Sequence, residues 1–205
     1  KWFLPSEFGT DIEHNEKSPY EKPHQVKLAV RKYIRENLKR VRVTYVVTGP
    51  YFDMWVNAHA GLEGAGGFVA EKKKAYVIGN GEERVGFCTM KEYVSFLYTQ
   101  VVSMTLTDNN SVGRFVLATL RHPEESFDKA LKVQSFIVTP NQVLAEYERQ
   151  TGAKWEVIKK PLEEIKELEG KLWEEGDPRA TLVTLRRIWA EGGTLYERND
   201  NEVLG

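Results

Sequence analysis

The 205-residue sequence holds one cysteine, Cys88. A single thiol excludes an internal disulfide framework and points to a reducing, cytoplasmic setting. No apolar run approaches the ~20 residues that span a bilayer, so no membrane partner is expected. No basic stretch followed by an apolar one marks the N-terminus as a secretory signal. Excess charge of either sign is also missing. The 29 Lys and Arg face 30 Asp and Glu, for a net charge of −1. That balance gives no electrostatic case for nucleic acid or a membrane surface. The four histidines, His14, His24, His59 and His122, are scattered. With Cys88 they lack zinc-ligand spacing, and no metal is expected. No internal repeat is visible.

What is present alternates between strand and helix patterns. The apolar run opening at Lys1 breaks at Pro5 and Gly9, as a buried strand entering a functional loop does. An interior-type strand at the first position predicts that this is the later part of a larger fold. Residues 11–22, with Pro19 and then Pro23, predict an exposed loop. Val26, Val30, Tyr33 and Ile34 share one helical face, and Val41, Val43, Tyr45 and Val47 alternate as in a strand. Residues 68–78 and 84–88 predict two strands around the turn Gly79-Asn80-Gly81. Val112, Phe115, Val116 and Leu120 predict a helix ended by His122-Pro123, and 133–138 a strand. Thr139-Pro140-Asn141-Gln142 has the form of a capping box and opens a helix running to Gly152. Two more helices carry Leu162, Ile165, Leu168 and Leu172, then Leu182, Leu185, Ile188 and Trp189. Such alternation argues for an α/β fold, and the helical C-terminal third suits a substrate-binding lobe.

Four stretches, in order, carry a family resemblance. Phe3-Leu4-Pro5-Ser6-Glu7-Phe8-Gly9 resembles the strand-loop of the NmrA-like and isoflavone-reductase-like group, which are atypical short-chain dehydrogenases. Lys27–Tyr33 is similar to its lysine-bearing helix, Thr44–Phe52 to its next strand and loop, and Val112–Val116 with His122-Pro123 to its later helix. The resemblance implies the later part of a Rossmann-type NAD(P)-binding fold over residues 1–123. It also implies a smaller α+β substrate-binding lobe over 124–205, to which 51–88 contribute. The group's Gly-rich cofactor loop, which would set a pyrophosphate on a helix N-terminus, is absent from this sequence. Residues 93–110 hold an unusual apolar insertion near Val94–Val102, read equally as a translated intron or as an ordinary buried element.

The same resemblance makes Lys27 the catalytic candidate and implies NADPH, rather than NADH, as cofactor. A lysine beside a nicotinamide holds a ribose hydroxyl, or lowers the pKa of a proton donor. The plainer alternative is a solvated lysine, since Val26 and Val30 define the apolar stripe. The Tyr-x-x-x-Lys pattern of ordinary short-chain dehydrogenases is missing, as in the similar group. Ser6, Glu7 and Phe8 fall at one strand end, where α/β sheets place ligands, or else form a turn. Thr48, Gly49, Pro50, Tyr51 and Phe52 make a second such end, with plain core packing as the alternative for Tyr51 and Phe52. All of these, with Lys27, are candidate cofactor-binding residues. Gly61-x-x-Gly64-x-Gly66-Gly67 has neither G-x-G-x-x-G nor P-loop spacing and reads as a flexible substrate-side loop.

Three functions are consistent with these residues. The first is hydride transfer from NAD(P)H to a small organic substrate. The second is a non-catalytic NAD(P)-sensing regulator that binds a protein partner. The third is an inactive truncated product, with sheet edges exposed to aggregation.

Overall fold

The computed structural model describes residues 1–89 and 111–204, so the apolar insertion expected at 93–110 lies outside the described residues. The fold is a mixed α/β arrangement whose main sheet is parallel. β1 (Trp2–Phe3), β2 (Arg42–Val47) and β6 (Lys129–Lys132) form it, in the order β1-β2-β6. Phe3 pairs with Val43, and Thr44 to Val47 pair with Lys129 to Lys132. β2 is covered on both faces, because Val43, Thr44, Val46 and Val47 are all buried. The expected alternation therefore becomes the continuous burial of a central parallel strand. Thr44, a polar residue with no exposure, is satisfied by the Trp2 indole at 3.0 Å and the Ser126 carbonyl at 2.6 Å.

α1 (Gln25–Asn37) makes the crossover from β1 to β2. It presents a face the sequence did not predict. Of the predicted stripe Ile34 is buried but Val26, Val30 and Tyr33 are exposed, whereas His24 and Arg31 are buried and Lys27 is half-buried. The apolar stripe loses because the helix's cations find acids on the preceding loop. Arg31 Nε meets Glu7 at 3.0 Å, its Nη1 meets Glu13 at 2.5 Å, and the guanidinium lies 4.5 Å from the Tyr45 ring centroid. On the other side of the sheet, Val46 joins Cys88, Leu131, Val133 and Leu204 in a cluster completed by α3 (Ser111–Arg121). Leu120 faces outward, contrary to its place in the predicted stripe. The loop at 11–22 is not wholly exposed either. Asp11, Ile12 and Ser18 are buried, and Asp11 pairs with Lys132 at 3.3 Å.

Beyond β2 lies a second layer. β3 (Gly67–Val69) and β4 (Lys74–Ile78) are antiparallel, turning at 70–73. β4 then runs parallel to β8 (Glu156–Lys160). β5 (Val85–Phe87) pairs with β7 (Phe136–Val138), not with β4, so Gly79-Asn80-Gly81 is a turn without a hairpin. Of the predicted strand 133–138 only Phe136–Val138 is a strand, and β6 of the main sheet ends before it at Lys132. The short helix α2 (Phe52–Trp55) and α5 (Pro140–Thr151) enclose an aromatic core of Phe52, Trp55, Phe68, Phe87, Phe136 and Tyr147. Thr139 and Gln142 form the expected capping box, and Gly152 ends α5 in the left-handed region. α6 (Leu162–Glu174) and α7 (Ala180–Ala190) pack as a pair over Leu62 and Ala65. The glycine-rich stretch is thus anchored by buried residues.

Candidate functional site

A cavity of about 350 Å³ opens where β1 and β2 end. Its floor is Phe8, Gly9, Gly49 and Pro50, and its far wall is Leu182, Leu185, Arg186 and Trp189 of α7. Ligands of parallel α/β sheets bind at these carboxyl ends. A larger open groove of about 870 Å³ lies at the opposite ends of the strands, against Lys1, Arg40, Arg42 and Asp128. Topology therefore favours the smaller cavity.

The two strand-end loops are stitched together. The Gly49 N–H donates to the Gly9 carbonyl at 2.9 Å, and the Tyr51 hydroxyl donates to the Phe8 carbonyl at 2.8 Å. Phe8 has a φ of 23°, an unusual value for a non-glycine residue, held by these contacts. Gly49 has a φ of 64°, and a Cβ there would stand 3.2 Å from the Gly86 carbonyl. Glycine suits that position on both counts. Burial raises the Tyr51 pKa, so its phenol keeps its proton and its bond to Phe8.

Lys27 reaches the cavity from α1. Its ammonium donates to the main-chain carbonyl of Glu7 and lies beside Gly9, where an added Cβ would be 3.4 Å from Nζ. Burial lowers the Lys27 pKa, and Arg31 adds to the shift while Glu7 opposes it. One bond to Glu7 leaves donors on the ammonium for a ligand. Lys27 is thus half-buried against the cavity, with its ammonium on the Glu7 carbonyl.

The structure brings Phe8, Lys27, Gly49, Pro50 and Tyr51 to the lining of this one cavity. Four other candidate residues do not line the cavity. Ser6 is exposed, and the Thr48 hydroxyl donates to the Gly49 carbonyl at 3.1 Å. The Glu7 carboxylate is occupied by Arg31, and Phe52 packs edge-on to Phe87 at 5.4 Å in the core.

Sequence reasoning missed the far wall. Leu182, Leu185, Arg186 and Trp189 fall at i, i+3, i+4 and i+7, so an arginine inside an apolar stripe was the available signal. Arg186 is buried and holds the carbonyls of Trp55, Asn57 and Ala65 at 2.9, 3.0 and 3.3 Å. Burial pulls its pKa down to about 10. His24 also lines the cavity. Its Nδ1 is 2.7 Å from the Ser18 carbonyl, and burial lowers its pKa. That bond requires the proton on Nδ1 and leaves Nε2 as an acceptor in the neutral ring. Cys88 is fully buried, and burial raises its thiol pKa to about 12, which leaves it inert.

The residues present suit the nicotinamide–ribose end of a dinucleotide. Flat apolar walls meet a half-buried ammonium, and Gly49 offers backbone without a side chain. The sequence carries no glycine-rich phosphate cradle for the pyrophosphate.

The family model of the NmrA-like family matches residues 1–175. Oxidoreductase poxI of Penicillium oxalicum is 29% identical over 108 residues, which are 49% of this chain and 34% of that protein. The crystal structure of an isoflavone reductase superposes with a TM-score of 0.65 at 19% identity, over 97% of this chain and 57% of that one. The leucoanthocyanidin reductase–NADPH complex from Vitis vinifera superposes at 0.66 and 16% identity, over 97% and 56%. The chain therefore spans just over half the length of these Rossmann-type structures, whose likeness extends to the fold. With the model covering most of its length, this chain belongs to the NmrA-like family.

Proposed function

We propose that this chain forms the nicotinamide-facing and substrate-binding side of an NAD(P)H-dependent oxidoreductase acting on a small organic molecule. The observation that carries the reading is the half-buried Lys27 ammonium on an apolar cavity at the carboxyl ends of β1 and β2. Family membership and the NADPH named for a solved neighbour support it.

Lys27 acts first as an anchor. Held by the Glu7 carbonyl, its ammonium presents the remaining N–H groups to a ribose hydroxyl or to a substrate oxygen. Its lowered pKa makes it a better proton donor than an exposed lysine. A bound dihydronicotinamide would supply hydride. Phe8, Pro50 and Trp55 exclude water from the reacting face, and Gly49 allows close approach to the backbone. NADPH is the preferred form by family likeness.

The test is NADPH oxidation across a panel of enones and aromatic ethers, with products identified by mass. Turnover that Lys27→Ala abolishes supports the reading. A folded chain that binds NADPH but yields no product with any panel member contradicts it.

A further inference from the structure

The cavity's charge is one-sided. Lys27 and Arg186 are the charged side chains that line it, and no aspartate or glutamate does among the described residues. The acids nearby already have partners. Glu7 is paired with Arg31, Asp11 with Lys132, and Glu21 with Arg187. Arg186 stands apart from these pairs. It makes no ion pair among the described residues, and its only hydrogen-bond acceptors there are main-chain carbonyls. Its Nε has no partner among the described residues.

A buried guanidinium without a counter-ion is expensive, and holding three carbonyls needs donors rather than a charge. The rest of the wall is apolar, which strengthens any interaction with that charge. Resting on the small-molecule reading of this cavity, we propose that it takes an organic anion. The ligand is a flat, mostly apolar molecule with one ionised oxygen group, a carboxylate or acidic phenolate, set against Arg186.

The test compares cinnamate with cinnamamide, which keeps the shape and removes the charge. Binding to the 205-residue chain is followed by tryptophan fluorescence, since Trp55 and Trp189 line the cavity. Cinnamate should bind at least about tenfold more tightly, the ratio expected when a charged hydrogen bond is lost. Arg186→Met, checked for folding by circular dichroism, should remove the preference, and Arg186→Lys should keep part of it. Equal affinity of the wild type for acid and amide overturns the proposal without recourse to any variant. Displacement of cinnamate by inorganic pyrophosphate also overturns it, because the cation would then serve a phosphate. Parallel NADPH titration separates the two readings. NADPH binding without acid preference removes the anion proposal alone, whereas acid preference without NADPH binding or oxidation removes the reductase alone.

Discussion

Arg31 and Glu7 meet at 3.0 Å with both side chains buried, and the same Glu7 gives its main-chain carbonyl to Lys27 one helical turn earlier. One acidic residue thus fixes both cations of α1. Its carboxylate neutralises Arg31, and its backbone aims Lys27 at the cavity. Burial alone would lower the Arg31 pKa, but the bonds to Glu7 and Glu13 raise it and keep the guanidinium charged.

Removing one partner should leave the other charge buried and unpaired. Arg31→Met is expected to cost about 3–5 kcal/mol. Urea unfolding measures it. Because Glu7 adjoins the strained Phe8, the variant should also weaken ligand binding at the cavity floor. A loss below about 1 kcal/mol, the range of a surface pair, would contradict the buried-pair account.

Gly49 joins the two loops, and its φ of 64° suits a residue without a side chain. Gly49→Ala adds left-handed strain of about 1–2 kcal/mol. It also presses a methyl toward the Gly86 carbonyl and Thr194. A lowered melting temperature together with weaker NADPH binding is expected. Unchanged values for both would show that the loop adapts.

His24 ties stability to pH. Burial lowers its folded pKa below the ordinary 6.5, so the unfolded chain binds the proton more readily. The stability from burying the neutral ring is full above 6.5 and is lost as pH falls from there toward the folded pKa. His14 and His59 shift the same way. Melting temperature should fall between about pH 7 and about pH 5. His24→Asn keeps a donor for the Ser18 carbonyl without titrating, and should flatten that slope. An unchanged slope in the variant would assign the effect elsewhere.

Local signals were the legible ones. Thr139-Pro140-Asn141-Gln142 is complete within four residues, so its capping box is as the sequence reads. The extent of α1 is equally local, but its buried face is not. Arg31 displaces Val26 and Val30 because its acids lie 24 and 18 positions earlier, on a loop that only the folded chain brings close. β8 was missed because Glu156–Lys160 is largely exposed and charged, and it is a strand only through its pairing with β4. The 84–88 segment has strand character, yet its partner is 136–138 rather than its neighbour in sequence. The family motifs named Phe8, Lys27 and Gly49, and the structure brings these three to one cavity. The far wall was not legible, because Arg186 meets the floor only through the packing of α7 against the loops at 55–65.

The most direct measurement is an NADPH titration of the 205-residue chain by tryptophan fluorescence, with Lys27→Ala alongside. The account predicts saturable binding that the substitution weakens by about tenfold, as for a lost charge-assisted hydrogen bond. No binding by a folded wild-type chain, or equal binding by both proteins, would contradict the placement of a nicotinamide cofactor at Lys27.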